Sequence, residues 1–207
     1  MKKYITTILI FTVCTIINAQ NTVSLETMSE CVNRPNYDDE GCPDLEDVDY
    51  IKDINNKLNQ FVGTWKGSYN GNNYEITLVK KEKVKLSGGG PYWDKLVGGL
   101  IIRNSAGSIV YNDTDKINSI ENASIYGSNF QKPTTNFYNL SFSPKDKCIK
   151  GGQLTIYFKK GSNNTQLLLS IWRQADLKSA SSIKECNNER YVFPYSEREP
   201  DMVLKRQ

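Results

Sequence analysis

The sequence predicts an all-β protein, an antiparallel meander β-barrel of about 8–10 strands preceded by one short capping helix. Three observations support this fold class. Short segments of alternating apolar and polar residues follow one another from Trp65 to the C-terminus. Turn-forming glycine, proline and asparagine residues separate these segments. The tripeptide Gly63-Thr64-Trp65 stands where a helical spacing of apolar residues changes to alternation.

The capping helix is predicted over residues 44–61. Its apolar residues recur three or four positions apart, which places them on one helix face; they are Val48, Ile51, Ile54, Leu58 and Phe61. Acidic residues precede them, and negative charge stabilises the amino end of a helix. The same acidic run lacks the regular Asp spacing of a calcium loop, so we interpret it as a solvated helix start.

The strands follow in order. The first begins at Trp65, and the turn Asn70-Gly71 leads to the alternation of Tyr74, Ile76 and Leu78. The remaining strands are predicted at 92–103, 108–112, 123–127, 137–142, 153–159, 166–173 and 202–206. The connection over 175–200 is predicted to be a long loop.

The first 19 residues have the order of a cleavable secretory signal. Lys2 and Lys3 precede a short apolar run, and Ala19 supplies the small residue at the cleavage point. The run is too short to span a bilayer, and Val13 before Cys14 argues against a lipid anchor. We therefore expect three parts: a signal peptide at 1–19, an acidic irregular leader at 20–43, and a helix plus barrel domain at 44–207. The expected location is the periplasm or the extracellular medium.

Charge and cysteines fit an exported chain. The net charge is +3, but residues 20–60 hold ten acidic and three basic residues, so the rest of the chain is basic. We expect the acidic segment to pair with this basic part of the same chain. Binding to nucleic acid is not expected. Cleavage leaves Cys31, Cys42, Cys148 and Cys186, which predicts disulfides with three connectivities open. We favour Cys31–Cys42 and Cys148–Cys186. A zinc site is disfavoured because the chain has no CxxC pair.

Gly63-Thr64-Trp65 resembles the Gly-x-Trp signature that opens the first strand of lipocalins and their calycin relatives. The resemblance implies that Gly63 and Trp65 form the barrel base, with a basic residue near the last strand packed on the tryptophan. Arg206 is the first candidate for that residue, ahead of Lys205 and Arg173.

A second resemblance covers most of the chain. Tyr50-Ile51-Lys52-Asp53, Phe61 to Trp65, Tyr92-Trp93-Asp94-Lys95-Leu96-Val97-Gly98 and Met202-Val203-Leu204 are similar to an uncharacterised family of exported Bacteroidetes proteins with a domain of unknown function. This resemblance implies export and a lipocalin-like body, and it implies no activity. The cysteine-bearing leader and the region between Cys148 and Cys186 depart from that family.

Catalytic residues are not predicted. The chain contains no histidine, which excludes Ser-His-Asp and Cys-His catalysis and His-ligated zinc. Glu75, Glu82 and Glu121 are candidates for a glycosidase carboxylate pair, but each is expected on a solvated strand face or turn. We expect no enzyme, no cofactor and no metal.

Two hypotheses of function remain. The first is a binding module that holds a small apolar or amphipathic ligand inside the barrel, with Tyr74, Trp93, Tyr138 and Phe142 lining the pocket and the turns at 88–91 and 161–164 framing its mouth. The second is a filled barrel that acts through its loops on an unknown protein partner, for instance as an envelope-associated inhibitor or adhesin-like module. Interior volume separates the two, and alternation of residues does not reveal it.

Overall fold

Eight antiparallel strands close into a barrel in the computed structural model, as the sequence predicts. The structure describes residues 21–32, 34, 41–86, 88–132, 137–172, 190–195 and 200–207. The strands are β1 (Thr22–Ser24), β2 (Tyr50–Lys52), β3 (Gly63–Tyr69), β4 (Asn72–Lys85), β5 (Tyr92–Arg103), β6 (Ile109–Asn112), β7 (Ile125–Lys132), β8 (Phe137–Phe142), β9 (Gly152–Phe158), β10 (Gln166–Trp172) and β11 (Met202–Arg206). One α-helix, α1 (Leu25–Val32), and two 3₁₀ helices, Lys57–Phe61 and Thr114–Lys116, complete the described part.

The barrel order is β5-β4-β3-β11-β10-β9-β8-β7, and pairing of β7 with β5 closes it. The last strand of the chain therefore lies between the first barrel strand and β10. Inward-facing rows form the core, among them Tyr74, Ile76 and Leu78 of β4, Leu96, Leu100 and Ile102 of β5, Tyr138, Leu140 and Phe142 of β8, and Leu167, Leu169 and Ile171 of β10. Trp172, out of phase with the last of these rows, is exposed.

The barrel closes through a short stretch of pairing between β5 and β7. Only Val97 and Gly98 of β5 pair with β7, while Tyr92 and Trp93 at the start of β5 pair with β2 in parallel. The helix α1 packs on β7 beside this closure, and the amide of Phe130 donates to Ser29 Oγ at 3.2 Å. The N-terminal segment thus packs against the barrel beside its closure.

The predicted helix over 44–61 is wrong. Residues 50–52 form β2 and residues 57–61 a 3₁₀ helix, and the α-helix lies instead in the leader that was expected to be irregular. Val48, Ile51, Leu58 and Phe61 are buried as the pattern requires, but Ile54 is 52% exposed. Residues 50–52 form a strand because Ile51 pairs with Trp93 of β5. Buried backbone N–H and C=O groups need hydrogen-bond partners, and β5 supplies them here.

The helix α1 has the local signals of a short amphipathic helix. Ser24 Oγ accepts the amide of Thr27 at 3.0 Å, which is an N-cap hydrogen bond. Leu25, Met28 and Cys31 fall three apart and are buried. The predicted signal peptide at 1–19 lies outside the described residues. Within them, no helix has both the length and the apolar character needed to cross a membrane.

Candidate functional site

Gly63 and Trp65 lie at the start of β3, at one end of the barrel. Gly63 has φ 133°, a backbone conformation that favours glycine. Trp65 is fully buried, and its indole Nε1 donates to the carbonyl oxygen of Phe61 at 2.8 Å. The guanidinium carbon of Arg206 lies 4.5 Å from the ring centroid of Trp65, and Arg206 Nη2 donates to the carbonyl oxygen of Gln60. A cation–π contact of this kind contributes about 0.5–2 kcal/mol.

Residues 190–195 pack at the opposite end of the barrel. Phe193 is fully buried, with its ring centroid 5.8 Å from that of Tyr74 and 5.0 Å from that of Phe142. The Tyr74 hydroxyl donates to the carbonyl oxygen of Val192. Burial raises the pKa of Tyr74 to about 12. Two of the four predicted pocket residues, Tyr74 and Phe142, therefore pack against Phe193.

Tyr138, the third predicted pocket residue, lies in the middle of the interior. Its ring is 4.9 Å from that of Phe130 and 5.9 Å from that of Phe61, and it is fully buried. A β-carbon at Gly127 would lie 2.3 Å from the Tyr138 hydroxyl, so the absence of a side chain at Gly127 makes room for that group. Burial raises the pKa of Tyr138.

Trp93, the fourth predicted pocket residue, is partly buried and packs against the core, but not from the inward face of β5. It lies on the face of β5 opposite to Leu96 and Leu100, and the Nζ of Lys95 is 4.6 Å from its ring centroid. Lys95 is only 6% exposed and donates to the carbonyl oxygens of Gly127 at 3.0 Å and Ser128 at 3.4 Å. Burial lowers the pKa of Lys95 to about 8.

A buried polar cluster near the base was missed by the sequence analysis. Lys80 Nζ lies 3.0 Å from Asp53 Oδ2 and 4.0 Å from Asp94 Oδ2, and both carboxylates are inaccessible. Tyr50 donates its hydroxyl to Asp94 Oδ1 at 2.5 Å, and burial together with this hydrogen bond raises the pKa of Tyr50. Asp53 also accepts the amides of Lys57 at 2.8 Å and of the following residue. These contacts fix the 3₁₀ helix to the barrel wall.

The disulfide Cys31–Cys42 is confirmed, with 5.7 Å between the two Cα atoms. It joins the end of α1 to the segment that leads into β2. Cys148 is also disulfide-bonded. The predicted partner Cys186 lies outside the described residues, so the second pairing stays a prediction.

A cleft of about 680 Å³ lies on the outside of the barrel. The tip of the β4–β5 hairpin forms one side of it, and residues 120–123 and 143–145 line it as well, with Tyr126 of β7. Across the described ranges, no group of three or more His, Cys, Asp or Glu side chains is placed to hold a metal ion.

Comparison with known proteins identifies a family. A family model described as "Family of unknown function (DUF6705)" matches residues 1–203. No curated protein and no solved structure matches the chain.

Proposed function

The chain belongs to this family of unknown function, and we propose that it is a non-enzymatic interaction module whose barrel is filled by its own side chains and which binds partners through its outer surface and loops. One observation carries the proposal: Phe193 occupies one end of the interior, where it touches Tyr74 and Phe142. A small apolar ligand inside the barrel is the rival hypothesis.

Packing at the other end supports the same conclusion. The ring centroid of Phe158 lies 4.9 Å from that of Phe61 and 6.2 Å from that of Trp65. Tyr138 connects Phe61 to Phe130. The interior of an eight-stranded barrel is either filled by its side chains or holds one small ligand, and these aromatic contacts support the filled interior.

The absence of enzymatic activity is part of this proposal. Asp53 and Asp94 are the most deeply buried carboxylates among the described residues, and both already accept hydrogen bonds from backbone amides and lie beside Lys80. A general acid or base needs a free oxygen directed at substrate. The lack of histidine removes the commonest alternative.

Export is also proposed. The disulfide Cys31–Cys42 supports an oxidising compartment, and the first 19 residues have the order of a secretory signal. Sequencing of the mature N-terminus after fractionation tests it: a chain beginning at Gln20 in the periplasm or medium supports export, and a cytosolic chain with residues 1–19 intact contradicts it.

The filled-barrel proposal is tested with a library of uncharged apolar compounds on the full chain. We expect no saturable quenching of tryptophan fluorescence and no rise in the thermal midpoint from the uncharged compounds, because a ligand that binds the native state stabilises it. A one-to-one complex with an uncharged alkane or arene that raises the midpoint would favour the rival hypothesis.

A further inference from the structure

The outer cleft combines charge with apolar surface. Lys85 and Lys145 are exposed side chains that line it, together with one acidic residue, Glu121. Leu86, Ala123 and Pro144 contribute apolar surface. A volume of about 680 Å³ lies within the range of small-molecule sites.

One side of the cleft is set by a buried carboxylate. The register of β4 against β5 shifts between Lys81 and Val84, and Lys83 there has φ 52°. The amide of Lys83 donates to Asp94 Oδ1 at 3.2 Å, which holds the bulge in place. The hairpin tip beyond the bulge, which carries Lys85, is therefore positioned by the interior of the protein.

Residues 120–123 and 143–145 are held by their own hydrogen bonds. Ala123 donates its amide to the carbonyl oxygen of Ser119 at 2.9 Å, and Ser143 donates its amide to that of Ser124 at 2.7 Å. Lys145 Nζ donates to Asn122 Oδ1 at 3.2 Å and so links the two segments. The cleft is thus formed before any ligand arrives, which lowers the entropy cost of binding.

Both lysines keep donors for a ligand. Lys85 Nζ donates to the carbonyl oxygen of Gly90 and lies 4.7 Å from the ring centroid of Tyr92. Lys145 uses one hydrogen bond for Asn122. An ammonium group has three donors, so Lys145 can bind an anionic oxygen without leaving its position, whereas Lys85 turns its ammonium from Gly90 and Tyr92 toward the cleft to do so. The two cations exceed the single acid of the lining.

We propose that this cleft binds a small organic anion with an apolar body, whose anionic group pairs with Lys85 and Lys145 and whose body lies on Leu86, Ala123 and Pro144. This inference depends on the proposed function in one respect: a filled barrel leaves the outer surface as the place where a ligand binds.

The test compares two probes that share one aromatic body. 1-Anilinonaphthalene-8-sulfonate carries a negative charge, and N-phenyl-1-naphthylamine does not. Fluorescence titration of the full chain should show saturable binding of the sulfonate, one per chain, and binding of the neutral probe weaker by about tenfold or more. The double variant Lys85→Gln/Lys145→Gln should weaken the sulfonate by about tenfold.

Two further variants keep the test selective. Lys160→Gln removes an exposed charge at a different turn and should leave the affinity unchanged. Ser143→Trp places a bulky side chain at an exposed cleft position and should block the probe. No binding of the sulfonate, equal binding of both probes, or an unchanged double variant would overturn the cleft proposal.

A crystal structure of the sulfonate complex separates this proposal from the proposed function. Probe density against Lys85 and Lys145 supports the cleft. Density elsewhere on the surface overturns the cleft and leaves the filled barrel standing, whereas density inside the barrel overturns both.

Discussion

Burial of Lys95 makes the stability of the protein depend on pH. The side chain is 6% exposed, and burial lowers its pKa from 10.5 to about 8. Below pH 8 the lysine is protonated in both the folded and the unfolded chain, so the folded state bears the full cost of a buried charge. Between pH 8 and 10.5 the folded chain releases this proton while the unfolded chain keeps it. Stability therefore rises with pH in that window.

The magnitude follows from the two pKa values. With 8 in the folded and 10.5 in the unfolded chain, the Lys95 contribution to the free energy of unfolding increases by about 2–3 kcal/mol from pH 7 to pH 10. The variant Lys95→Met keeps the length of the side chain and removes the charge. The free energy of unfolding of wild type minus that of the variant should rise by this amount from pH 7 to pH 10.

Urea denaturation of both proteins at a series of pH values measures this difference. Tyrosines whose pKa is raised by burial titrate in both proteins, so their contribution cancels. Lys160→Met, at an exposed position, serves as the control and should show no change with pH relative to wild type. A wild-type-minus-Lys95→Met difference that stays flat from pH 7 to pH 10 would refute the argument, because Lys95 would then keep an ordinary pKa.

Three further predictions concern stability and are measured by chemical denaturation. Trp65→Ala should lower the free energy of unfolding by about 3–5 kcal/mol, the cost of removing a large buried aromatic; an unmoved midpoint would mean that Trp65 does not hold the base. Replacing Cys31 and Cys42 by serine should cost about 3 kcal/mol through the lost loop constraint, and reduction of wild type should cost more because it also breaks the disulfide of Cys148; equal stability of variant and wild type contradicts this. Gly127→Ala should be destabilising because its β-carbon would meet the Tyr138 hydroxyl, and Tyr138→Phe should relieve part of that cost in the double variant; strictly additive effects would show that the two do not touch.

The strands were predicted well because their signals are local. Residues 92–103, 137–142 and 202–206 were predicted as strands, and the structure forms β5, β8 and β11 over those residues. Alternation and flanking turn residues specify such segments without knowledge of their partners. The pairing of Trp65 with Arg206 could be anticipated only from the resemblance of Gly63-Thr64-Trp65 to a known signature.

Distant contacts decide what the sequence analysis missed. Tyr50 and Ile51 form a strand because Tyr92 and Trp93 lie beside them, 42 positions away along the chain. Periodicity within 44–61 carries no sign of that pairing. One acidic residue of this region does have a structural role, because Asp53 Oδ2 forms an ion pair with Lys80 Nζ of β4 at 3.0 Å.

Two signals in the sequence point to the missed interior groups. Asp94 interrupts the apolar run of β5, and an acidic residue in such a run is either exposed or paired; its partners, Tyr50 and the amide of Asp53, are far away in sequence. Phe193 follows Val192 in a segment that was predicted as a loop. Apolar neighbours in a long polar loop can mark a plug, but they show no period that reveals what they fill.

The filled interior is tested most directly by xenon-pressurised crystals of wild type and of Phe193→Ala. Removing this ring should leave an apolar cavity beside Tyr74 and Phe142, and a dry apolar cavity of that size binds xenon. The account predicts a xenon atom there in the variant and none inside the barrel of wild type. Xenon within the wild-type barrel would contradict it, because the interior would then hold space that the side chains of the protein do not fill.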